Sequence, residues 1–168
     1  MKTSDLGLQL IMHMEGEILH PYLDKAGYVT VGYGHCLWLP NGKHMTNLSD
    51  VAKFCPQFQS IDHPFAKGLL TSDVVIFENG VNSLGLTLNQ GQFDSLIDFS
   101  FNEGFGALEG STLLKRIKAG NDATMITQAF MMWVKVTVNG KKVTDNWQVA
   151  RRKTEALLFT TGQLKFFA

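Results

Sequence analysis

The stretch Glu15–His35, EGEILHPYLDKAGYVTVGYGH, decides how the rest of the chain is read. Leu6, Leu10, Ile11 and Met14 before it recur at helical spacing behind a Thr3 or Ser4 cap, and Gly16 stops that helix. Glu15 therefore stands on a last helical turn. Beyond it, Tyr22-Leu23 and Tyr28-Val29-Thr30-Val31 are β-formers on either side of the turn-rich Asp24-Lys25-Ala26-Gly27. The spacing predicts a tight hairpin that carries Asp24 and Thr30. Gly32, Tyr33 and Gly34 then permit close approach of backbone or ligand.

Working outward, Cys36-Leu37-Trp38-Leu39 predicts a third strand that turns at Pro40-Asn41-Gly42. Residues 47–70 carry few signals beyond a short helix from Ser49 to Phe54, with Pro56 and Pro64 punctuating a loop. Val74, Phe77, Val81 and Leu84, behind a Thr71 or Ser72 cap, predict a linking helix over about 71–85. Asn89 and Gln92 form a variant capping box ahead of the apolar stripe Phe93, Leu96, Ile97 and Phe101. Ser111 caps a helix that Gly120 ends, and Asp122 starts another bearing Ile126, Ala129, Phe130 and Trp133. Val136–Val143 reads as a small β excursion about Asn139-Gly140, and Asp145 with Gln148 caps the last helix.

The bulk properties narrow the function. The 168 residues suffice for a single domain with a substantial core, or two small lobes sharing a helix. Lys+Arg 15 against Asp+Glu 15 leaves no net charge, which argues against nucleic acid as a partner. The basic clusters Lys115-Arg116-Lys118, Lys141-Lys142 and Arg151-Arg152-Lys153 read as solvated helix faces. No run approaches the roughly 18 apolar residues of a membrane span, and the N-terminus lacks a signal-peptide pattern, so a cytoplasmic product is expected. Cys36 and Cys55 read as two reduced thiols, with a disulfide between them as the alternative. A zinc site from His35, Cys36, His44, Cys55 and His63 lacks the close ligand pairs such sites use, so no metal and no cofactor is expected.

A carboxylic acid opposed to a second carboxylate is what acid–base cleavage of a glycosidic bond requires. Glu15 suits the acid, since the partial negative charge of a helix C-terminus, and burial beside Met14, Leu19 and Tyr22, would favour its protonated form.

The block Glu15-Gly16, Leu19, Tyr22-Leu23-Asp24, Gly27, Thr30 and Gly32-Tyr33-Gly34-His35 closely resembles the signature of phage-type lysozymes, the T-even type of glycoside hydrolase family 24. Three later blocks resemble that family in order: Gln92–Leu96 with Phe101–Gly104, Ser111–Leu114, and Arg151–Phe159. The resemblance implies an α+β, mainly helical, lysozyme-like fold. A small N-terminal lobe (about 16–70) with a three-stranded sheet would be joined by the long helix to a helical lobe (about 86–168), on which the helix 4–15 packs. It also implies hydrolysis of the β-1,4 bond between N-acetylmuramic acid and N-acetylglucosamine in peptidoglycan, by a monomer.

By the same resemblance Glu15 is the general acid, Asp24 the second carboxylate and Thr30 the hydroxyl that holds water. An inverting enzyme keeps its two carboxyl groups roughly 6.5–9.5 Å apart to admit that water. Arg151 matches an arginine that pairs with the catalytic glutamate, His35 and Tyr33 support the hairpin, and Asn102, Ser111 and Thr112 are sugar or peptide contacts. The setting implied is host cytoplasm, with release to periplasmic peptidoglycan through a holin-like pore. A Gram-negative type of wall is expected because no wall-binding module follows residue 162. The competing readings are a tail-associated or secreted antibacterial lysozyme domain, a lytic transglycosylase, and a glycan-binding module without turnover. The chain departs from the family pattern at Cys36, where threonine is common, in a longer segment after it, and at Asp145-Asn146-Trp147.

Overall fold

The computed structural model describes every residue except Asn139. The chain divides into two compact units, one of Ile11–Val75 and one of Met1–Leu10 with Ile76–Ala168. Helix α1 (Asp5–Glu15) begins in the second of these and ends in the first.

The unit of residues 11–75 is built on an antiparallel sheet of β1 (Ile18–Leu23), β2 (Val29–Gly32) and β3 (His35–Cys36), in that order. Tyr22 pairs with Thr30, and Thr30 with Cys36, so one row of residues crosses all three strands. The third strand is shorter than the 36–39 expected. The chain continues instead as a narrow loop closed by a Trp38–His44 bridge and a Leu39 N–Lys43 O hydrogen bond of 2.8 Å. Alternation sends Val29, Val31, Leu37 and Met45 into a core completed by Val51, Cys55, Ile61 and Ala66. Gly32, at φ +67°, lets β2 approach the segment that carries Ala66, whose Cβ would stand 3.5 Å from an added side chain.

Helix α2 (Ser49–Phe54) forms where expected, followed by a 3-10 turn at Pro56–Phe58. Helix α3 (His63–Asp73) was not legible as a helix. Asp62 caps it by accepting from Phe65 N at 2.9 Å, and Pro64 occupies its first turn, where a missing N–H costs nothing. The single linking helix expected over 71–85 is therefore two helices, α3 and α4 (Val75–Ser83), with Val74 between them. Thr71 and Ser72 do not cap. Their hydroxyls lie inside α3 and donate to Lys67 O and Gly68 O.

The other unit centres on α5 (Gln90–Glu103) packed against α9 (Asn146–Thr161). The capping box at Asn89 and Gln92 is formed in both directions. Every residue from Phe93 to Ser100 is buried, so this helix is enclosed all round rather than striped. Helix α6 (Phe105–Gly110), unanticipated, leads to α7 (Thr112–Lys118) under its Ser111 cap, and α8 (Ala123–Phe130) follows its Asp122 cap. Strands β4 (Lys135–Val138) and β5 (Lys141–Thr144) pair antiparallel. Of the expected Asn139-Gly140 turn, Asn139 lies outside the described residues. Glu78 anchors the N-terminal residues, accepting from Thr3 N and Thr3 Oγ1 at 2.8 and 2.9 Å and pairing with Lys2.

Arg151 and Arg152 are not on a solvated face. Both are buried with Asp98 and Glu155 in the α5–α9 core. Asp98 grips Arg151 through Oδ2–Nε at 2.9 Å and Oδ1–Nη2 at 2.8 Å, a bidentate pair that compensates burial of both charges. Arg152 lies over the Phe99 ring, donates to Asn102 Oδ1 at 2.6 Å, and stands 3.2 Å from Glu155. Burial works to raise the Asp98 carboxyl, but the Arg151 charge and hydrogen bonds hold it below its ordinary value. Burial pushes Glu155 well up against the pull of Arg152, and the charge of Asp98 adds to the rise.

Candidate active site

Glu15, Asp24 and Thr30 all belong to the unit of residues 11–75. Glu15 ends α1 and is exposed, so the burial expected beside Met14, Leu19 and Tyr22 is not found. Asp24 closes the β1–β2 turn. Its backbone pairs with Tyr28 O at 2.9 Å, and its Oδ1 accepts from Ala26 N and Tyr28 N, both at 2.8 Å. Gly27, at φ +83°, supplies the left-handed turn residue that this arrangement needs. Because these bonds fall on Oδ1, the carboxylate is held in one orientation with Oδ2 directed elsewhere.

Thr30 lies one pleat along from Tyr28, buried to 2% exposure, and its Oγ1 donates to Tyr28 O at 3.2 Å. Across the sheet, Cys36 Sγ stands 3.8 Å from the same hydroxyl. Tyr22 flanks Thr30 on the other side. Burial pushes the Tyr22 phenol above its ordinary value, and the charges of Asp24, Glu15 and Cys36 add to it. Both carboxylates therefore act on one phenol. Burial also raises the Cys36 thiol; the Thr30 hydrogen bond opposes this, and Asp24 and Asp73 reinforce it.

His35 is clamped by Asp73 at the end of α3, with Nδ1 at 3.0 and 2.9 Å from the two carboxylate oxygens, and stacks on Phe58. Tyr33 donates to Glu17 Oε1 at 2.8 Å, and Glu17 also pairs with His63. Burial and the Glu17 carboxylate push the Tyr33 phenol up to about 12. The sequence reading missed Asp73 and Glu17. Each acts through a partner distant in the chain or across a turn, and neither sits in a motif. Cys36 and Cys55 are both unbridged, the first half-buried and the second in the core.

The remaining candidates lie in the other unit. Ser111 caps α7 by accepting from Leu114 N, and with Thr112, Glu103, Trp133, Lys135 and Lys142 it borders a cavity of about 490 Å³. Asn102 holds Arg152. Among the described residues no helix is long and apolar enough to cross a membrane.

The description "Phage lysozyme" fits residues 12–155 as a family model. The chain belongs to the phage lysozyme family. It is 34% identical over 163 residues to an endolysin of Acyrthosiphon pisum secondary endosymbiont phage 1, covering 96% of this chain and 100% of that one. It is 38% identical to an endolysin of Bacillus phage B103 over 98% of its own length, but spans only 56% of that relative. The endolysin from Escherichia coli O157:H7 phage FAHEc1 shares the fold, with a TM-score of 0.82, 34% identity and coverage of 98% and 97% of the two chains. Family membership makes the chain a glycoside hydrolase of the lysozyme class.

Proposed function

We propose that the protein is an endolysin that hydrolyses the β-1,4 bond between N-acetylmuramic acid and N-acetylglucosamine, with inversion, using Glu15, Asp24 and Thr30. Glu15 protonates the glycosidic oxygen as it leaves. Asp24 accepts a proton from a water that Thr30 orients, and that water attacks the anomeric carbon from the opposite face. One observation carries this assignment: Tyr28 ties the two groups together, its N–H donating to Asp24 Oδ1 at 2.8 Å and its carbonyl accepting from Thr30 Oγ1 at 3.2 Å.

Supporting roles follow from the contacts. His35 and Tyr33, held by Asp73 and Glu17, brace the strand that carries Thr30. Ser111 and Thr112, at the rim of their cavity, and Asn102 are proposed sugar or peptide contacts, and Arg151 a supporting cation. The proposed setting is host lysis: synthesis in the host cytoplasm, passage through a holin-like pore, and action as a monomer on periplasmic peptidoglycan. The endolysin names of the relatives support it.

The test is digestion of purified peptidoglycan with mass spectrometry of the products. Wild type should release reducing muramic-acid ends, and Glu15→Gln should release none while keeping its Tm. Turnover by Glu15→Gln would overturn the assignment, and anhydro ends would identify a transglycosylase.

A further inference from the structure

Three rings form a continuous stack on the sheet face that carries Thr30. Tyr28 and His44 lie with centroids 4.2 Å apart and planes within 20°. His44 and Trp38 follow at 3.8 Å and 30°. The pleat places them there. Val29, Leu37 and Met45 turn into the core, so Tyr28, Trp38 and His44, each one residue away, turn to the opposite face with Thr30 and Cys36. The Trp38–His44 bridge sets the outer pair in register.

The inner end of the stack is joined to the site. Tyr28 N donates to Asp24 Oδ1, and Tyr28 O accepts from both Asp24 N and Thr30 Oγ1. The outer end is open, with Trp38 53% exposed. A stack built for stability alone would bury that indole and pair every polar atom within it. Here the largest ring is left in water, and His44 Nδ1 is buried without a hydrogen-bond partner among the described residues.

We infer that the Tyr28–His44–Trp38 stack is a sugar platform, on which the Trp38 indole receives the C–H face of a pyranose in the same glycan strand that Asp24 and Thr30 act upon. The inference rests on the muramidase reading above. Indole offers a flat, apolar and electron-rich face, which suits the C–H face of a neutral amino sugar. A protein partner is the poorer occupant: one exposed ring falls far short of the roughly 800 Å² per partner that a stable interface buries. The rigid backing by His44 and Tyr28 means little side-chain freedom is lost on binding.

The experiment uses the full chain carrying Glu15→Gln, titrated with peptide-free glycan strands and with a disaccharide. The indole N–H resonances are followed by NMR, with Trp38 assigned by Trp38→Phe and the exposed Trp147 as reference. The Trp38 resonance should shift with long strands and not with the disaccharide. In the active protein, Trp38→Ala should raise KM for long strands about tenfold, a change near 1.4 kcal/mol. A Trp38 resonance unmoved by strands that wild type cleaves overturns the platform and leaves the muramidase reading intact. Failure of wild type to cleave any strand strikes the muramidase reading itself. Should Trp38→Ala unfold, the resonance shift in the folded Glu15→Gln protein still decides.

Discussion

Cys36 Sγ stands 3.8 Å from Thr30 Oγ1, directly across the β2–β3 pairing. A half-buried thiol therefore shares a wall with the hydroxyl assigned to the attacking water. Cys36→Ser keeps a small hydrogen-bonding group there and should retain hydrolysis. Alkylation of Cys36 places bulk against Thr30 and should abolish it, with Cys36→Ser resistant to the reagent. Burial, with the charges of Asp24 and Asp73, holds the thiol up, so the inactivation rate should climb as pH rises past the ordinary thiol range. Inactivation of Cys36→Ser at the wild-type rate would refute this.

Asp24 has two duties that substitution separates. Asp24→Asn keeps an Oδ1 acceptor for Ala26 N and Tyr28 N, so the turn should hold while hydrolysis is lost. Asp24→Ala removes both acceptors and should cost about 1–3 kcal/mol of stability as well. Denaturant unfolding of the two variants beside an activity assay checks the split.

His35 should matter through Asp73 rather than through proton transfer. Asp73→Ala frees the ring from its clamp and loosens β3 from α3, so Tm should fall and activity fall in proportion. His35→Gln, which preserves a donor toward Asp73, should keep appreciable turnover. Complete loss in a stably folded His35→Gln would give the histidine a direct chemical role.

The buried α5–α9 cluster makes a pH prediction. Glu155 has a raised value when folded, so the stability it contributes is fully present below its unfolded value, about 4.3, and is lost as pH rises toward its folded value. Asp98 is lowered and acts oppositely, contributing above about 3.9 and losing that contribution only as pH falls further. Glu155→Gln should therefore flatten the decline of Tm on the alkaline side of this window while preserving the acid limb. Asp98→Ala leaves Arg151 buried without its bidentate partner and should cost about 3–5 kcal/mol.

Gly7 faces Asp94, whose Cγ would stand 2.7 Å from an added Cβ. Asp94 holds Ser4 through its N–H at 3.0 Å and its hydroxyl at 2.5 Å, so Gly7→Ala should displace that anchor. A Tm drop in Gly7→Ala, and early exchange of the Ser4 amide, would report it.

What the sequence by itself determined is local. The caps at Asn89, Ser111, Asp122 and Asp145, the Asp24–Gly27 turn and the alternation in β2 each need only neighbours within a few residues, and their signals are written in those neighbours. Glu15, Asp24 and Thr30 could be proposed from the sequence for the same reason, since they share one short stretch. Tertiary structure decided whatever depends on burial or on a distant partner. Helix α3 hides Pro64 and Gly68 within a pattern that reads as loop, and only the packing of Ala66 and Leu70 commits it to a helix. Arg151 and Arg152 look like a solvated face until Asp98, more than fifty residues earlier, meets them in the core. Trp38 and His44 acquire meaning only when the loop between them closes onto Tyr28. Charge compensation and ring stacking are properties of through-space neighbours, and a linear chain does not specify those until it folds.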